Sequence, residues 1–371
     1  MTMSALYFHI PFCKRICAYC DFHKSADLRC ADAVVAAMHD ELRETDGFLS
    51  DKKINTLYFG GGTPSLLHPS LLQQLADTAS RIYGFTDLDE MTVEVNPDDI
   101  DKQYVSALRA TDIDRVSIGI QSLDDRVLRM MNRRHTAAEA ADAVKRLQDA
   151  GIENITADVI FGIDGYGTDV LRRTLEGILS LDVTHISAYH LTIEPSTRFA
   201  RMESRGELRR VDDEQSDREF RMVHDMLTDA GFEHYEVSNY ARAGFRARHN
   251  SAYWQGVQYI GIGPGAHSFN GECRRWCVQR PEEYAVRRRY ETEMLSERDR
   301  FNEMVMTSLR CAEGLDTERV EMIFGGDRAA RLKTEALQME PLGVVVEGSR
   351  IRILPERMLI SDAVIERLFE V

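Results

Sequence analysis

Six short β-rich runs, each followed by a helical stretch, constrain the fold of this chain more than any other feature. The runs are Leu6 to Ile10, Asn55 to Phe59, Met91 to Val95, Arg115 to Ile120, Ile155 to Phe161 and His185 to Leu191. Serial strand–helix units specify parallel strands joined by right-handed crossovers. Parallel strands are covered on both faces, so runs such as Leu6-Tyr7-Phe8 and Leu57-Tyr58-Phe59 are apolar rather than strictly alternating. Helical patterns cover Ala31 to Glu41 and Ala137 to Ala150, the second ending at Gly151 as a C-cap. The expected fold class is therefore α/β, a partial (β/α)6 barrel over residues 1–280. Its functional residues should gather at the C-terminal ends of the strands.

The pattern changes near residue 290. Glu297 to Leu309 reads as a linker helix with Phe301, Met304, Val305 and Leu309 at helical spacing. Gly343 to Leu354 reads as a hairpin turning at Gly348-Ser349. Residues 281–371 are thus expected to form a small winged-helix-like α+β domain. Acidity of the chain, 61 acidic against 46 basic residues, gives it a packing or lid role rather than a DNA-binding one. The formal charge of −15 argues against nucleic acid as a partner, since phosphate binding needs a basic surface. Two local basic patches, Met131 to His135 and Cys273 to Trp276, stand against that balance, either as sites or as ion-paired surface. No apolar run reaches the roughly eighteen residues of a membrane span. The N-terminus lacks the zones of a signal peptide, so a reducing, cytoplasmic address is expected.

Directly after the first strand come Cys13, Cys17 and Cys20, spaced C-x3-C-x2-C. Thiolates at this spacing can hold three irons of a cubane iron–sulfur cluster and leave one iron open. An open metal position usually serves chemistry rather than structure. A zinc site made of the same thiols and His23 is the alternative. Disulfides are disfavoured: seven cysteines is an odd number, and Cys30, Cys273, Cys277 and Cys311 form no regular framework. Further along, Gly60-Gly61-Gly62-Thr63 has so little bulk that its backbone can approach a ligand closely. Glu94 and Asp158 each place a carboxylate in an apolar strand, which costs free energy unless a partner is found. That partner is either a cationic or hydroxyl-rich ligand or an internal salt bridge.

YFHIPFCKRICAYC, FGGGTPS, EVNPDD, RVSIGIQS, ADVIFG, LTIEPST, HNSAYW and GIGPGAHSF occur in that order. Together they resemble the radical S-adenosylmethionine (SAM) proteins. The closer likeness is to the branch holding the oxygen-independent coproporphyrinogen III oxidases and the related haem chaperones, the HemW family. The resemblance implies a [4Fe-4S] cluster on Cys13, Cys17 and Cys20, whose open iron chelates SAM. One-electron cleavage of SAM would yield a 5′-deoxyadenosyl radical. It gives Tyr7, Tyr19, Phe22, Gly61, Gly62, Thr63, Glu94, Gln121, Arg133 and Asp158 to SAM, and a HemN-type domain to the C-terminus. Ile163-Asp164-Gly165-Tyr166-Gly167 departs from the commoner Leu-Pro-Gly-Gln, which alters the loop after Asp158.

Within the branch, the oxidases carry one more cysteine two places after the third ligand, where this chain has Phe22, and an N-terminal extension. The resemblance therefore favours a haem chaperone that binds haem or a related porphyrin and hands it to an acceptor, such as a membrane respiratory protein. An electron donor would serve the cluster. Oxidative decarboxylation of coproporphyrinogen III is the alternative. His249, Tyr253 and Trp254 of the H-N-x-x-Y-W pattern, with His267 as a rival, are the candidate haem residues: imidazole ligates haem iron and aromatic rings stack on porphyrin. Covalent attachment through C-x-x-C-H is not expected; Cys273 and Cys277, spaced C-x3-C, read as buried thiols.

Overall fold

The computed structural model describes residues 4–50, 53–85 and 87–371; the first three residues of the expected barrel lie outside the described residues. Each of the six expected strands is present: β1 (Ser4–Ile10), β2 (Ile54–Gly61), β3 (Glu90–Val95), β4 (Arg115–Gln121), β5 (Asn154–Phe161) and β6 (His185–His190). They pair in parallel in sequence order. Helices Ala31–Glu44, Pro69–Tyr83, Lys102–Leu108, Ala137–Asp149 and Gly167–Ser180 make the crossovers. The helix Ala137–Asp149 starts at a Thr136–Glu139 capping box, and Gly151 follows its C-terminus in the left-handed region at φ 80°.

The sheet is larger than six strands. On one side stand β7 (Glu233–His234) and β8 (Asn239–Ala241). On the other, β9 (Gln258–Ile262) runs parallel to β1. β10 (His267–Phe269), β11 (Cys273–Cys277) and β12 (Tyr290–Met294) then continue antiparallel. The sheet ends at β12 and β7 and stays open, a partial barrel of twelve strands. Its apolar core runs continuously from Leu6 to Tyr284 and includes Met358.

A separate apolar core runs from Phe301 to Leu368. It sits between helices Glu297–Leu309, Thr317–Phe324, Gly326–Leu337 and Ser361–Leu368 and a three-stranded sheet. That sheet holds β13 (Leu315–Asp316), β14 (Val344–Glu347) and β15 (Arg350–Ile353), the last two being the expected hairpin.

The barrel's N-terminal end is plugged by the helix Arg248–Trp254. Glu90, the first residue of β3, accepts the backbone N–H of Arg248 (2.8 Å) and of His249 (3.0 Å). A carboxylate against two free N–H groups of a helix start is favourable. Arg115, the first residue of β4 and 1% exposed, lies 3.8 Å from the same carboxylate. This end is a packed polar plug, as expected for the face that stabilises rather than reacts.

Candidate functional site

At the opposite end, the strand tips and the cysteine loop enclose a cavity of about 580 Å³. Cys13, Cys17 and Cys20 line it, and all three thiols are free. The loop has no regular structure, yet it is pinned from several elements. Cys13 N–H donates to Ser25 O (2.9 Å), and Ala18 N–H donates to Met131 O (2.9 Å). Asn132 Nδ2 donates to Ile16 O (2.7 Å), and Lys14 Nζ to Asp99 Oδ1 (2.6 Å). Arg134 pairs with both Asp98 and Asp99. Within the basic patch at 131–135, Arg134 is thus ion-paired and, with Met131 and Asn132, braces the loop.

Two sulfurs are held by one hydrogen-bond network. Arg133 Nη1 donates to Cys17 Sγ at 3.3 Å. Arg133 Nη2 donates to Asn96 Oδ1 (2.6 Å), Asn96 Nδ2 to Thr63 Oγ1 (3.1 Å), and Thr63 Oγ1 to Cys13 Sγ (3.6 Å). Donors aimed at sulfur favour thiolate, the form that ligates metal. Without metal, burial pushes the Cys13 thiol up to about 11. Among the described residues, no three His, Cys, Asp or Glu side chains are gathered tightly enough for a single ion. His23 lies outside the cavity lining, against Gly265. The donor set fits a cubane, whose ligands stand apart around a larger body, better than one zinc ion.

The glycine run serves the protein before any ligand. A Cβ on Gly62 would come within 2.7 Å of the Phe12 carbonyl oxygen, in the cysteine loop. Gly61 adopts φ 108°, and a Cβ there would meet the His9 ring at 2.7 Å. Its N–H donates to Glu94 Oε2 (3.1 Å). Bulk is thus excluded because strand tip and cysteine loop pack directly together.

Glu94 also accepts from Tyr58 Oη at 2.9 Å. Burial pushes its carboxyl up to about 7; Tyr58 and the Gly61 N–H oppose the shift, and nearby Asp158 adds to it. Burial likewise pushes Asp158 up to about 6, against hydrogen bonds from Ser187 and Ser117. Neither carboxylate has an internal salt bridge among the described residues, which leaves the ligand reading of both standing. Gln121, at φ 67°, is a non-glycine residue in the left-handed region on the cavity wall. Such strain concentrates at functional sites.

Of the residues expected around SAM, Tyr19, Phe22, Gly61, Gly62, Thr63, Glu94, Gln121, Arg133 and Asp158 all line this cavity. Phe22 is 67% exposed, an apolar ring at the mouth. Tyr7 does not line it: its hydroxyl bonds His9 Nδ1 (3.1 Å) beneath the glycine run. Asn96, Ser117 and Tyr189 line the cavity without having been singled out. Asn96 had a signal, its place at the tip of β3 before Pro97.

Three of the four haem candidates, His249, Tyr253 and Trp254, share the helix Arg248–Trp254, and His267 stands apart from them on β10. His249 is 1% exposed, at the plugged end of the barrel. Its Nδ1 is bonded to Thr56 Oγ1 (2.9 Å) and its Nε2 to Tyr253 Oη (3.0 Å). Both nitrogens are occupied, so neither is free for iron, and burial lowers its pKa to about 3. His267 is exposed on β10 and stacks on Trp276, with ring centroids 5.6 Å apart. Tyr253 and Trp254 line a different cavity, of about 360 Å³.

The Radical SAM superfamily model matches residues 7–177, and the HemN C-terminal domain model matches residues 295–356. The heme chaperone HemW of Mycobacterium tuberculosis is 34% identical over 373 residues, 98% of this chain and 94% of that protein. The heme chaperone HemW of Lactococcus lactis is 33% identical over 325 residues, 86% of this chain and 85% of that protein. Among solved structures, the coproporphyrinogen III oxidase HemN of Escherichia coli superposes with a TM-score of 0.81. It covers 99% of this chain and 90% of its own at 21% identity, which is a likeness of fold.

Proposed function

The chain belongs to the HemW family of radical SAM proteins, and on that premise we propose that it is a haem chaperone. It binds a [4Fe-4S] cluster, SAM and haem, and delivers haem to an acceptor protein. The observation that carries this reading is the 34% identity to a heme chaperone HemW over nearly the whole length of both chains, joined to Phe22 standing where the oxidases of the same branch have a further cysteine.

The cysteine cavity supports the cofactor assignment. Cys13, Cys17 and Cys20 would hold the cluster, which with SAM supplies one-electron reduction chemistry. Arg133, Asn96 and Thr63 orient donors toward the sulfurs, while Gln121, Glu94 and Asp158 wall the space left for SAM. Tyr7 acts from below, through the floor of glycines. Among the described residues no helix is long and apolar enough to cross a membrane. A cytoplasmic location, a respiratory membrane protein as acceptor and a dedicated electron donor complete the proposal. We also propose that the chain divides into a barrel and a C-terminal module, with the boundary moved from the expected 280/281 to about residue 295, because Tyr284 lies in the barrel core and the edge strand Tyr290–Met294 in the barrel sheet.

The test is haem transfer. Anaerobically purified, cluster-loaded protein is charged with haem and mixed with a haem-depleted respiratory enzyme. The expected result is loss of the donor's Soret band with recovery of acceptor activity. Retention of haem by the donor would refute chaperone function. Decarboxylated product from coproporphyrinogen III, SAM and reductant would install the oxidase reading instead.

A further inference from the structure

We propose that the second cavity, between the barrel's plugged end and the C-terminal module, is the haem site, and that Arg300 and Arg319 pair with the two haem carboxylates. This placement rests on the haem-chaperone reading above. The cavity of about 360 Å³ is open to one side and lies within the usual size range of ligand pockets. The helix Arg248–Trp254, β9, β10 and β11 form its barrel wall; the helices Glu297–Leu309 and Thr317–Phe324 form the other.

Its chemistry suits a planar, apolar macrocycle with two anionic arms. Trp254, Tyr259, Phe269 and Phe324 supply ring faces and edges. Tyr259 and Phe269 have ring centroids 6.0 Å apart. Trp254 Nε1 is buried without a hydrogen-bond partner, and a buried indole N–H normally finds one. Charge is the sharper signal. Three arginines and one carboxylate line the cavity in a chain of net charge −15. Glu303 is taken by Arg274 at 3.0 Å. Arg300 and Arg319 are exposed and form no salt bridge among the described residues, so two guanidinium groups remain for two carboxylates. Next to the opening, Met322 is 83% exposed and Ile323 49%, an apolar lip over which an amphipathic ligand could pass to another protein.

No imidazole or thiolate lines this cavity. Met304, Tyr253 and Tyr259 are the lining residues whose thioether or phenol can ligate haem iron, and ring contacts and carboxylate pairing hold the macrocycle with or without it.

The experiment uses full-length, cluster-loaded protein and three probes: haem, metal-free protoporphyrin IX and protoporphyrin IX dimethyl ester. Wild type should bind the first two with similar affinity and the ester more weakly. In the double variant Arg300→Glu/Arg319→Glu, haem affinity should fall about 10- to 100-fold, while binding of the ester stays the same. Both arginines are exposed, so an unchanged thermal midpoint is expected for the variant. Arg300→Gln/Arg319→Gln, a gentler change, should give an intermediate loss. Wild-type haem affinity in the double variant would overturn the site and leave the chaperone reading standing. Failure of wild type to bind any porphyrin would remove the chaperone reading itself.

Discussion

Glu94 offers a quantitative test of the cysteine cavity before any cofactor is added. Its carboxyl is moved from 4.5 to about 7 by burial, with Asp158 adding to the shift. Between those values the folded protein keeps the proton and the unfolded chain has lost it. Unfolding then releases a proton, so stability falls as pH rises from 4.5 to 7 and is lowest above 7. The full shift corresponds to about 3 kcal/mol, and cavity water that reaches the carboxylate reduces this toward 2 kcal/mol. Asp158 acts with the same sign but is spent by about pH 6. Glu236, pushed up to about 7 by burial, shares the upper window. The comparison must therefore be differential. Glu94→Gln is nearly isosteric with the protonated acid and can still accept from one donor. Denaturation curves of the cluster-free proteins at pH 4.0 and 8.0 should show near-equal stability at the lower pH, where Glu94 is protonated in both the folded and most of the unfolded chains. At the higher pH the variant should be more stable by about 2 kcal/mol. Parallel pH dependences, agreeing within about 0.5 kcal/mol, would mean that Glu94 ionises normally and that the cavity floor is wet.

Cys17→Ser should leave the fold intact, since Cys17 is only half-buried, but lower iron after anaerobic reconstitution from about four per chain to near zero. Full iron content in that variant would remove the thiol triad. Gly61→Ala should destabilise the protein by roughly 2–3 kcal/mol through left-handed strain and the clash with His9, read as a lowered thermal midpoint; a neutral result would show that the strand tip yields. His249→Ala should cost about 3 kcal/mol of stability, because Thr56 and Tyr253 lose their buried partner, while the Soret position of bound haem stays put. A changed coordination spectrum would make His249 an iron ligand after all.

The barrel strands were legible because parallel, doubly covered strands leave continuous apolar runs with turn residues after them. The added strands were not. β9 pairs with β1 across some 250 residues of sequence, and short antiparallel pieces such as β7 and β10 carry too few residues for a period of two to register. The same logic divides the site. Cys13, Gly61, Glu94 and Asp158 announce themselves as thiol, glycine or charge in the wrong place for a core. Asn96 and Ser117 are small polar residues whose role lies in whom they touch, and that is set by tertiary contact. The glycines were legible in position, but the sequence did not show that the protein itself also needs their small size: Gly62 lies against the Phe12 carbonyl and Gly61 against the His9 ring.

His249 shows how chemistry and location can point different ways. An imidazole in an aromatic motif suggests a metal ligand, yet two hydroxyls satisfy it and Glu90 caps its helix from below. What the motif accomplishes is to set Tyr253 and Trp254 into the wall of the second cavity. This bears on the reaction. The two cavities share no lining residue, and the packed column of Tyr7, Tyr58 and His249 stands between the glycine floor and Tyr253. A decarboxylase must bring a propionate arm against SAM, within reach of the cysteine loop. On the placement proposed here the macrocycle lies at the other end of the barrel, where its carboxylates meet arginines and its edge meets an exposed apolar lip. Any influence of cluster or SAM on haem must then pass through protein contacts such as Glu94 to Tyr58 and His249 to Tyr253. Linkage makes such an influence reciprocal: if SAM changes haem affinity by some factor, haem changes SAM affinity by the same factor.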